Sequence, residues 1–202
     1  MKIEADKAFF GIEIPLERFA PLAAAHFARV QHTADIEARG KLLIKKKFPK
    51  ADVVDFVRRV CAWGGYSGVS GRVLKRNDLV QIRRSVSEAV AHLTVATPDI
   101  ASALYTINRL KGLGRLSFAS KHLRFLCPEL CPVFDSFLQS ALPYSFDVAG
   151  YARFASDCRR LAAELTRLAV RNPWPERNGR WLAADAEASM YEYVRTELPN
   201  EG

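Results

Sequence analysis

The sequence lacks the features that would place it in a membrane or staple it with disulfides. No apolar run approaches the roughly 20 residues needed to span a bilayer, and residues 1–16 include acidic side chains where a signal peptide needs an unbroken apolar stretch. Only four cysteines occur among 202 residues, too few for a dense disulfide framework. We therefore expect a cytoplasmic protein with reduced thiols and no membrane contact.

Sequence motifs for metals and cofactors are also scarce. Cys127 and Cys131 have the spacing CxxxC, but the chain has no second pair to complete a four-ligand site. None of the four histidines is spaced as HxH or HxxxH, and His122 lies on the apolar face of a predicted helix, where a core role is the usual interpretation. We predict neither a bound metal nor a cofactor.

Alternating strand patterns are nearly absent, and helical periodicity takes their place. Residues 51–63 carry Val and Phe side chains at spacings i, i+3, i+4 and i+7, which predicts one buried face of a helix. The Gly- and Ser-rich residues 64–77 predict a loop. These patterns predict an all-α fold, with residues 1–202 forming a single domain. Further predicted helices cover 16–30, 78–94, 97–110, 117–126, a segment after Pro132, 146–170 and 181–198.

The chain carries a large excess of positive charge. Lys and Arg number 30 against 22 Asp and Glu, which gives a net charge of +8 and an isoelectric point of about 9.5. This balance suits a polyanionic partner such as a nucleic acid or an acidic membrane surface, although many basic proteins bind neither. Charge by itself therefore does not identify the partner.

Residues 109–138, RLKGLGRLSFASKHLRFLCPELCPVFDSFL, combine three features with chemical meaning. The first is a Gly-Leu-Gly turn at 112–114, between two predicted helices and flanked by Lys111 and Arg115. Glycines there let backbone N–H groups reach the surface at a helix N-terminus, where unpaired donors and the helix dipole attract an anion such as phosphate. The alternative is a glycine that merely ends a helix.

The other two features are Lys121 and Asp135. With about 3.6 residues per turn, Lys121 lies about 40° from Phe125, at the border of the apolar face. Partial desolvation and the neighbouring Arg124 would there lower the pKa of the lysine toward its neutral, nucleophilic form. Asp135 follows Pro132 at the start of a predicted helix. The alternatives are a surface lysine with a buried stem and an N-cap aspartate.

This block resembles the helix-hairpin-helix DNA glycosylase superfamily, and most closely its 8-oxoguanine glycosylase branch. Members carry an LxGxG hairpin that grips a DNA phosphate, a lysine on the following helix that attacks the sugar, and an aspartate at the head of a later helix. The resemblance implies an all-α helix-hairpin-helix glycosylase-like domain, with the motif over about residues 98–127. The matching positions are Leu110, Gly112, Gly114, Ala119, Ser120, Leu123, Arg124 and Asp135.

The resemblance also implies a function. A DNA glycosylase, with or without abasic-site lyase activity, flips an oxidised or otherwise modified base out of duplex DNA and excises it, in base-excision repair or in antiviral defence. The implied catalytic residues are Lys121 as nucleophile and Asp135 as the group that stabilises charge on the sugar. The implied protein is a monomer associated with the nucleoid through double-stranded DNA. The expected DNA contacts are Lys111, Gly112, Leu113, Gly114, Arg115, Ser117, Tyr66, Arg72, Lys75, Arg76 and Asn77.

One position departs from the superfamily pattern. Its lysine usually follows the second glycine by two residues, where this chain has Leu116, whereas Lys121 comes seven residues after Gly114. Three interpretations stay open: the nucleophile has moved to Lys121, the enzyme cleaves without a lysine, or the protein does not cleave. The alternative function is a non-catalytic helix-hairpin-helix DNA-binding module, and a second alternative is a basic interaction protein for RNA or protein partners.

Overall fold

The structure is a computed structural model that describes residues 11–114 and 116–198. All regular elements in these two ranges are helical, with no β-strand among them, so the all-α prediction is confirmed. Two short 3₁₀ turns, Leu16–Arg18 and Pro175–Arg177, accompany the α-helices. In chain order the α-helices are α1 (Phe19–Arg29), α2 (Thr33–Lys45), α3 (Lys50–Trp63), α4 (Gly68–Arg76), α5 (Leu79–Leu93), α6 (Ile100–Asn108), α7 (Leu116–Leu126), α8 (Ser136–Ala141), α9 (Val148–Arg167) and α10 (Ala183–Thr196).

The apolar stripe predicted within residues 51–63 is confirmed in α3. Val53, Phe56, Val57 and Val60 are all buried, and α3 packs against α2, α4, α5 and α7. Burial of each such side chain contributes about 1.5–3 kcal/mol. The stripe therefore holds α3 among four neighbouring helices.

The predicted loop over residues 64–77 is wrong for most of its length, because Gly68–Arg76 form α4. Val69 and Val73, one helical turn apart, are buried in the core. Each glycine in a helix costs about 1 kcal/mol relative to alanine, and α4 contains two. Burial of the two valines stabilises the helix by more than that cost. A prediction from local helix propensity does not include this burial.

Aspartate caps set the start of four of the described helices. Asp78, Asp99, Asp135 and Asp147 each accept a hydrogen bond from the backbone N–H three residues later. Such a cap satisfies a donor that the first turn of a helix otherwise leaves unpaired. The helix predicted to begin at residue 97 therefore begins after Asp99, since the capping carboxylate decides the boundary.

The longest helix, α9, confirms the predicted amphipathic segment near the C-terminus. Tyr151, Phe154 and Leu161 lie on its buried face, while Arg159 and Arg160 are exposed. None of the described helices is both long and apolar enough to cross a membrane.

Two helices, α7 and α10, lie at the centre of the fold. All residues from 119 to 126 in α7 and from 183 to 190 in α10 are buried. Helix α7 packs against α2, α3 and α6, and α10 packs against α1, α8 and α9. Gly40 of α2 lies so close to the backbone of Phe125 that a Cβ there would collide with it. The polar side chains of residues 119–126 and 183–190 are therefore largely shielded from solvent by packing.

Candidate active site

A polar cavity of about 290 Å³ opens between α1, the turn after α3, α7 and α10. Lys121 from α7 and Asp135 from the N-terminus of α8 both line it, so the structure brings together the two residues that the sequence pattern singled out. A volume near the lower end of the roughly 300–1,000 Å³ of small-molecule sites suits a ligand of one or two fused rings. The polar side chains in its wall are His26, Arg29, Lys121, Asp135, Glu187 and Tyr191.

Lys121 is more deeply buried than its border position predicted. Its side chain is 11% exposed, its stem passes so close to Gly64 that a Cβ added there would lie 3.1 Å from Cδ, and Nζ lies 5.1 Å from the centroid of the Phe118 ring. Burial lowers the pKa of Lys121, while two nearby carboxyl groups act in the opposite direction. Arg124 does not lower the pKa of Lys121 as the sequence predicted, because its guanidinium pairs with Glu37 instead.

Asp135 uses its two carboxylate oxygens for different purposes. Oδ1 accepts the Leu138 N–H at 3.1 Å and so caps α8, whereas Oδ2 lies 4.0 Å from Lys121 Nζ. The hydroxyl of Ser120 accepts the Phe134 N–H at 3.0 Å, which fixes the segment immediately before Asp135 to the residue immediately before Lys121. The capping role and the pairing with lysine therefore coexist.

Glu187 of α10 is a further ionisable group in this cavity, and the sequence pattern did not reveal it. Its Oε2 accepts the Val133 N–H at 3.3 Å. Burial raises the pKa of Glu187 to about 8, so its carboxyl is predominantly neutral at neutral pH. The only feature of the sequence that could have indicated Glu187 is its position in the alanine-rich segment 183–188. That pattern does not distinguish a buried acidic side chain from an exposed one.

Side chains from α1 and α3 complete the wall of the cavity. Arg29 Nε donates to Glu192 Oε1 at 2.8 Å, and His26 Nδ1 lies 3.3 Å from the same oxygen. Burial opposes ionisation of Glu192, but hydrogen bonds from neighbouring basic side chains lower its pKa to about 2. The Arg29 guanidinium lies 5.3 Å from the Tyr191 ring centroid, and Trp63 also lines the cavity. No sequence motif links these residues, because packing alone brings them together.

The predicted glycine turn joins α6 to α7. Gly112 and Gly114 have φ angles of +84° and +96°, in the left-handed region that other residues rarely adopt. A Cβ added at Gly114 would meet open space among the described residues, so a phosphate has room to approach. Leu110 and Leu113 are buried; the side chain of Leu113 therefore does not serve as the predicted DNA contact. The predicted contact Arg115 lies outside the described residues.

Asn77 connects the end of α4 to this turn. Its Nδ2 donates to the Lys111 carbonyl at 2.8 Å, and its Oδ1 accepts the Lys111 N–H at 3.0 Å. The residue is buried, and both ends of its amide are occupied within the protein. The structure thus corrects its predicted role: Asn77 positions the turn and does not present its side chain to DNA.

The remaining predicted contacts lie on or beside α4 and the turn. The backbone of Arg72 approaches Gly112 so closely that a Cβ there would lie 3.0 Å from it, which makes α4 and the turn neighbours on the surface. Tyr66 is 69% exposed and follows the two glycines that line the cavity. Ser117 is half-buried in the first turn of α7. The exposed basic residues of this surface are Arg72, Lys75, Arg76 and Lys111.

Another concave surface lacks this combination of groups. A wider cavity of about 850 Å³ lies over residues 169–180, and the described residues that line it include no lysine and no carboxylate. Within the described ranges, no group of three or more His, Cys, Asp or Glu side chains could hold a metal ion. The candidate active site is therefore the cavity that contains Lys121 and Asp135.

No protein-family model, curated protein or solved structure matches this chain. The features of the structure that bear on function are the cavity, the glycine turn and the charges around them. A partly desolvated amine beside a carboxylate can act as a nucleophile with a neighbouring proton acceptor. The open turn offers backbone donors to an anion.

Proposed function

We propose that the protein is a DNA glycosylase with abasic-site lyase activity, which excises a modified base from duplex DNA. The single observation that carries this proposal is the 4.0 Å separation between Lys121 Nζ and Asp135 Oδ2 in the wall of a cavity. An amine that forms a covalent intermediate with a sugar must be neutral, which desolvation favours, and a nearby carboxylate can accept the proton that the amine loses. Under this proposal the all-helical fold is that of a helix-hairpin-helix glycosylase.

The first requirement of such an enzyme is access to a base that is stacked inside the duplex. Flipping the nucleotide costs a few kcal/mol, and contacts to the DNA backbone must offset that cost. The open space at Gly114 and the exposed Lys111 support a phosphate grip at the turn. The exposed ring of Tyr66, beside the cavity, supports a wedge that fills the space left by the flipped base.

The second requirement is a nucleophile at the anomeric carbon. The neutral amine of Lys121 attacks C1′, the N-glycosidic bond breaks, and its electron pair leaves with the base. Asp135 stabilises the positive charge that develops on the sugar and accepts the proton that the amine loses. The C1′–O4′ bond then breaks, O4′ takes up the proton held by Asp135, and the nitrogen electron pair forms a protonated imine, which permits strand cleavage at the abasic site. The lowered pKa of Lys121 supports this role, because only the neutral amine is nucleophilic.

A non-catalytic DNA-binding module is the alternative function. The observation that favours it is Leu116, which stands where the superfamily usually has its lysine and is buried in the core. Under our proposal, Lys121 takes over that role from the same helix, since its amine lines the cavity. The two functions share the phosphate grip and differ in chemistry.

Borohydride trapping tests the proposal. The protein is incubated with duplex DNA that contains one abasic site, and sodium borohydride reduces any imine to a stable covalent adduct. We expect the adduct with the wild type and with the control Lys41→Ala, which changes an exposed lysine on α2. We expect none with Lys121→Gln, whose amide cannot form an imine. Thermal unfolding verifies that each variant is folded.

Other results of the trapping experiment would contradict the proposal or favour a different function. An adduct that persists in Lys121→Gln contradicts the assignment of the nucleophile. The binding module is favoured if no adduct forms, no oxidised, alkylated, deaminated or hypermodified base is released, and duplex affinity still falls steeply with salt. Absence of duplex affinity as well contradicts both functions and favours an RNA or protein partner.

A further inference from the structure

Glu187 takes no part in the chemistry described above, yet it lines the same cavity as Lys121 and Asp135. Only 3% of its surface is exposed, so solvent does little to stabilise a charge there. The Val133 N–H holds Oε2 at 3.3 Å. The oxygen left to meet a ligand in the cavity is therefore Oε1.

We propose that Glu187, as a neutral carboxylic acid, recognises the flipped base by donating a hydrogen bond from Oε1 to a ring carbonyl oxygen. This inference rests on the proposed glycosylase function and assigns its substrate class. The substrate is a base with a carbonyl oxygen on the edge that enters the cavity, as deaminated and oxidised bases have. Guanine and thymine also carry ring carbonyls. Glu187 therefore recognises the carbonyl-bearing edge of a base, and other contacts discriminate altered bases from normal ones.

The charged groups nearest to Glu187 act on its pKa in both directions. Burial is the largest influence and raises the pKa to about 8. Arg124 and Lys121 on α7 lower it, and Asp135 at the start of α8 raises it. Arg124 is paired with Glu37, and Lys121 faces Asp135 at 4.0 Å, so neither cation is bonded to the Glu187 carboxyl.

The other titratable groups around this carboxyl come from three helices. Tyr151 and Cys158 of α9 have pKa values that burial raises far above neutrality, so both are neutral. Burial lowers the pKa of His26 on α1, whose neighbour Arg29 is held by a different carboxylate. Burial also raises the pKa of Tyr191, one turn along α10. Of these groups, only Arg29 carries a charge at neutral pH.

A neutral carboxyl group forms different hydrogen bonds with a base than a carboxylate does. A carboxylate only accepts hydrogen bonds and so favours an amino group, whereas the acid form donates one and favours a carbonyl oxygen. Deamination replaces an amino group by a carbonyl, and oxidation of a purine ring adds one. As the N-glycosidic bond breaks, negative charge develops on the departing base and partly on its carbonyl oxygen, so the same hydrogen bond strengthens in the transition state.

Duplex binding by Lys121→Gln tests this assignment, because the base then stays in place. Three pairs of duplexes differ by one carbonyl: hypoxanthine against adenine, uracil against cytosine, and 8-oxoguanine against guanine. We expect a preference of about tenfold for the carbonyl member of at least one pair. In the Lys121→Gln background, a second change Glu187→Gln should keep this preference, because its amide still donates a hydrogen bond. A second change Glu187→Met should abolish the preference. Added Glu88→Gln, an exposed carboxyl on α5, is the control.

The pH dependence of the same preference separates a donor from a structural role. Ionisation of Glu187 removes the donor, so the preference should disappear at alkaline pH. The loss should occur above pH 8, because Lys121→Gln removes a positive charge that lowers the pKa of Glu187. With Glu187→Gln added, the preference should change only by the ionisation of the base itself, which both proteins share. The donor role is overturned if the Lys121→Gln protein, which retains Glu187, keeps its preference at a pH where the Glu187 carboxyl is ionised.

The outcomes distinguish this inference from the proposed function. Equal affinity within every pair, or a preference that survives Glu187→Met, overturns the role of Glu187 even where trapping succeeds. A preference that requires Glu187, in a protein that forms no adduct and releases no base, overturns the chemistry and retains the recognition. Lack of both overturns both.

Discussion

Two groups of ionisable side chains in this fold differ in how completely they are paired. The first, the arginine network, consists of Glu37, Arg124, Arg177 and Asp185. Arg177 donates to Asp185 Oδ2 at 2.8 Å and to Glu37 Oε2 at 2.9 Å, and Arg124 also donates to Glu37. These side chains are each at most 5% exposed, and each is directly bonded to an opposite charge.

The second group, the cavity cluster, consists of Lys121, Asp135 and Glu187. Lys121 and Asp135 are 4.0 Å apart, beyond the usual length of a hydrogen bond. Glu187 is held by a backbone N–H and is predominantly neutral at neutral pH, since burial raises its pKa to about 8. All three line an open cavity.

The difference separates a structural role from the chemical role that we propose. Completely bonded charges connect α2, α7, α10 and the turn Pro175–Arg177, and their partners satisfy them without any ligand. Ionisable groups with shifted pKa values beside a cavity are typical of functional sites. Incomplete pairing leaves Lys121 and Glu187 able to bond to a ligand, as the proposed function requires.

The largest expected effect comes from removing the carboxylate of the cavity cluster. We expect Asp135→Asn to lower single-turnover base release by about 10²- to 10⁴-fold, because the amide neither accepts the proton nor stabilises positive charge. Duplex affinity should change little, since asparagine also caps a helix. The control is Asp78→Asn, a cap of α5 outside the cavity. Loss of both affinity and base release would show that Asp135 acts only through the fold.

A somewhat smaller effect is expected on stability from breaking the arginine network. Arg177→Met leaves Asp185 without its main partner and removes one from Glu37, so we expect the free energy of unfolding to fall by about 3–5 kcal/mol. The matched variant Lys121→Met removes a cation that is not hydrogen-bonded, and its expected change is within about 1 kcal/mol. Urea unfolding measures both. Equal losses would remove the distinction between the two groups.

The smallest expected effect is a pH dependence of stability that Glu187 causes. Its pKa is raised in the folded protein, so the native state binds more protons between about pH 4.5 and 8, and its stability falls as pH rises through that window. Relative to Glu187→Gln, the wild type should lose about 3–4 kcal/mol between pH 5 and 8. Measuring the difference between the two proteins cancels the contributions of other groups. A constant difference would contradict the raised pKa.

The fold was more predictable from local patterns than the site was. The stripe in α3 and the long helix α9 follow from apolar spacing alone. Helix α4 does not, because Val69 and Val73 stabilise it only when the core receives them. Lys121 and Asp135 could be picked out because they lie 14 residues apart and both follow the glycine turn, Lys121 by 7 residues and Asp135 by 21. Glu187 lies on a helix distant in sequence and could not be found in that way.

The sequence by itself determined where most helices lie, since a period of about 3.6 residues and aspartate caps are local properties. It also determined the glycine turn, because two positive φ angles need residues without a Cβ. Only the tertiary structure decided which charges are paired and which face a cavity. The physical reason is that desolvation and ion pairing depend on neighbours from other helices; Arg124 and Lys121, three residues apart on α7, therefore belong to different groups.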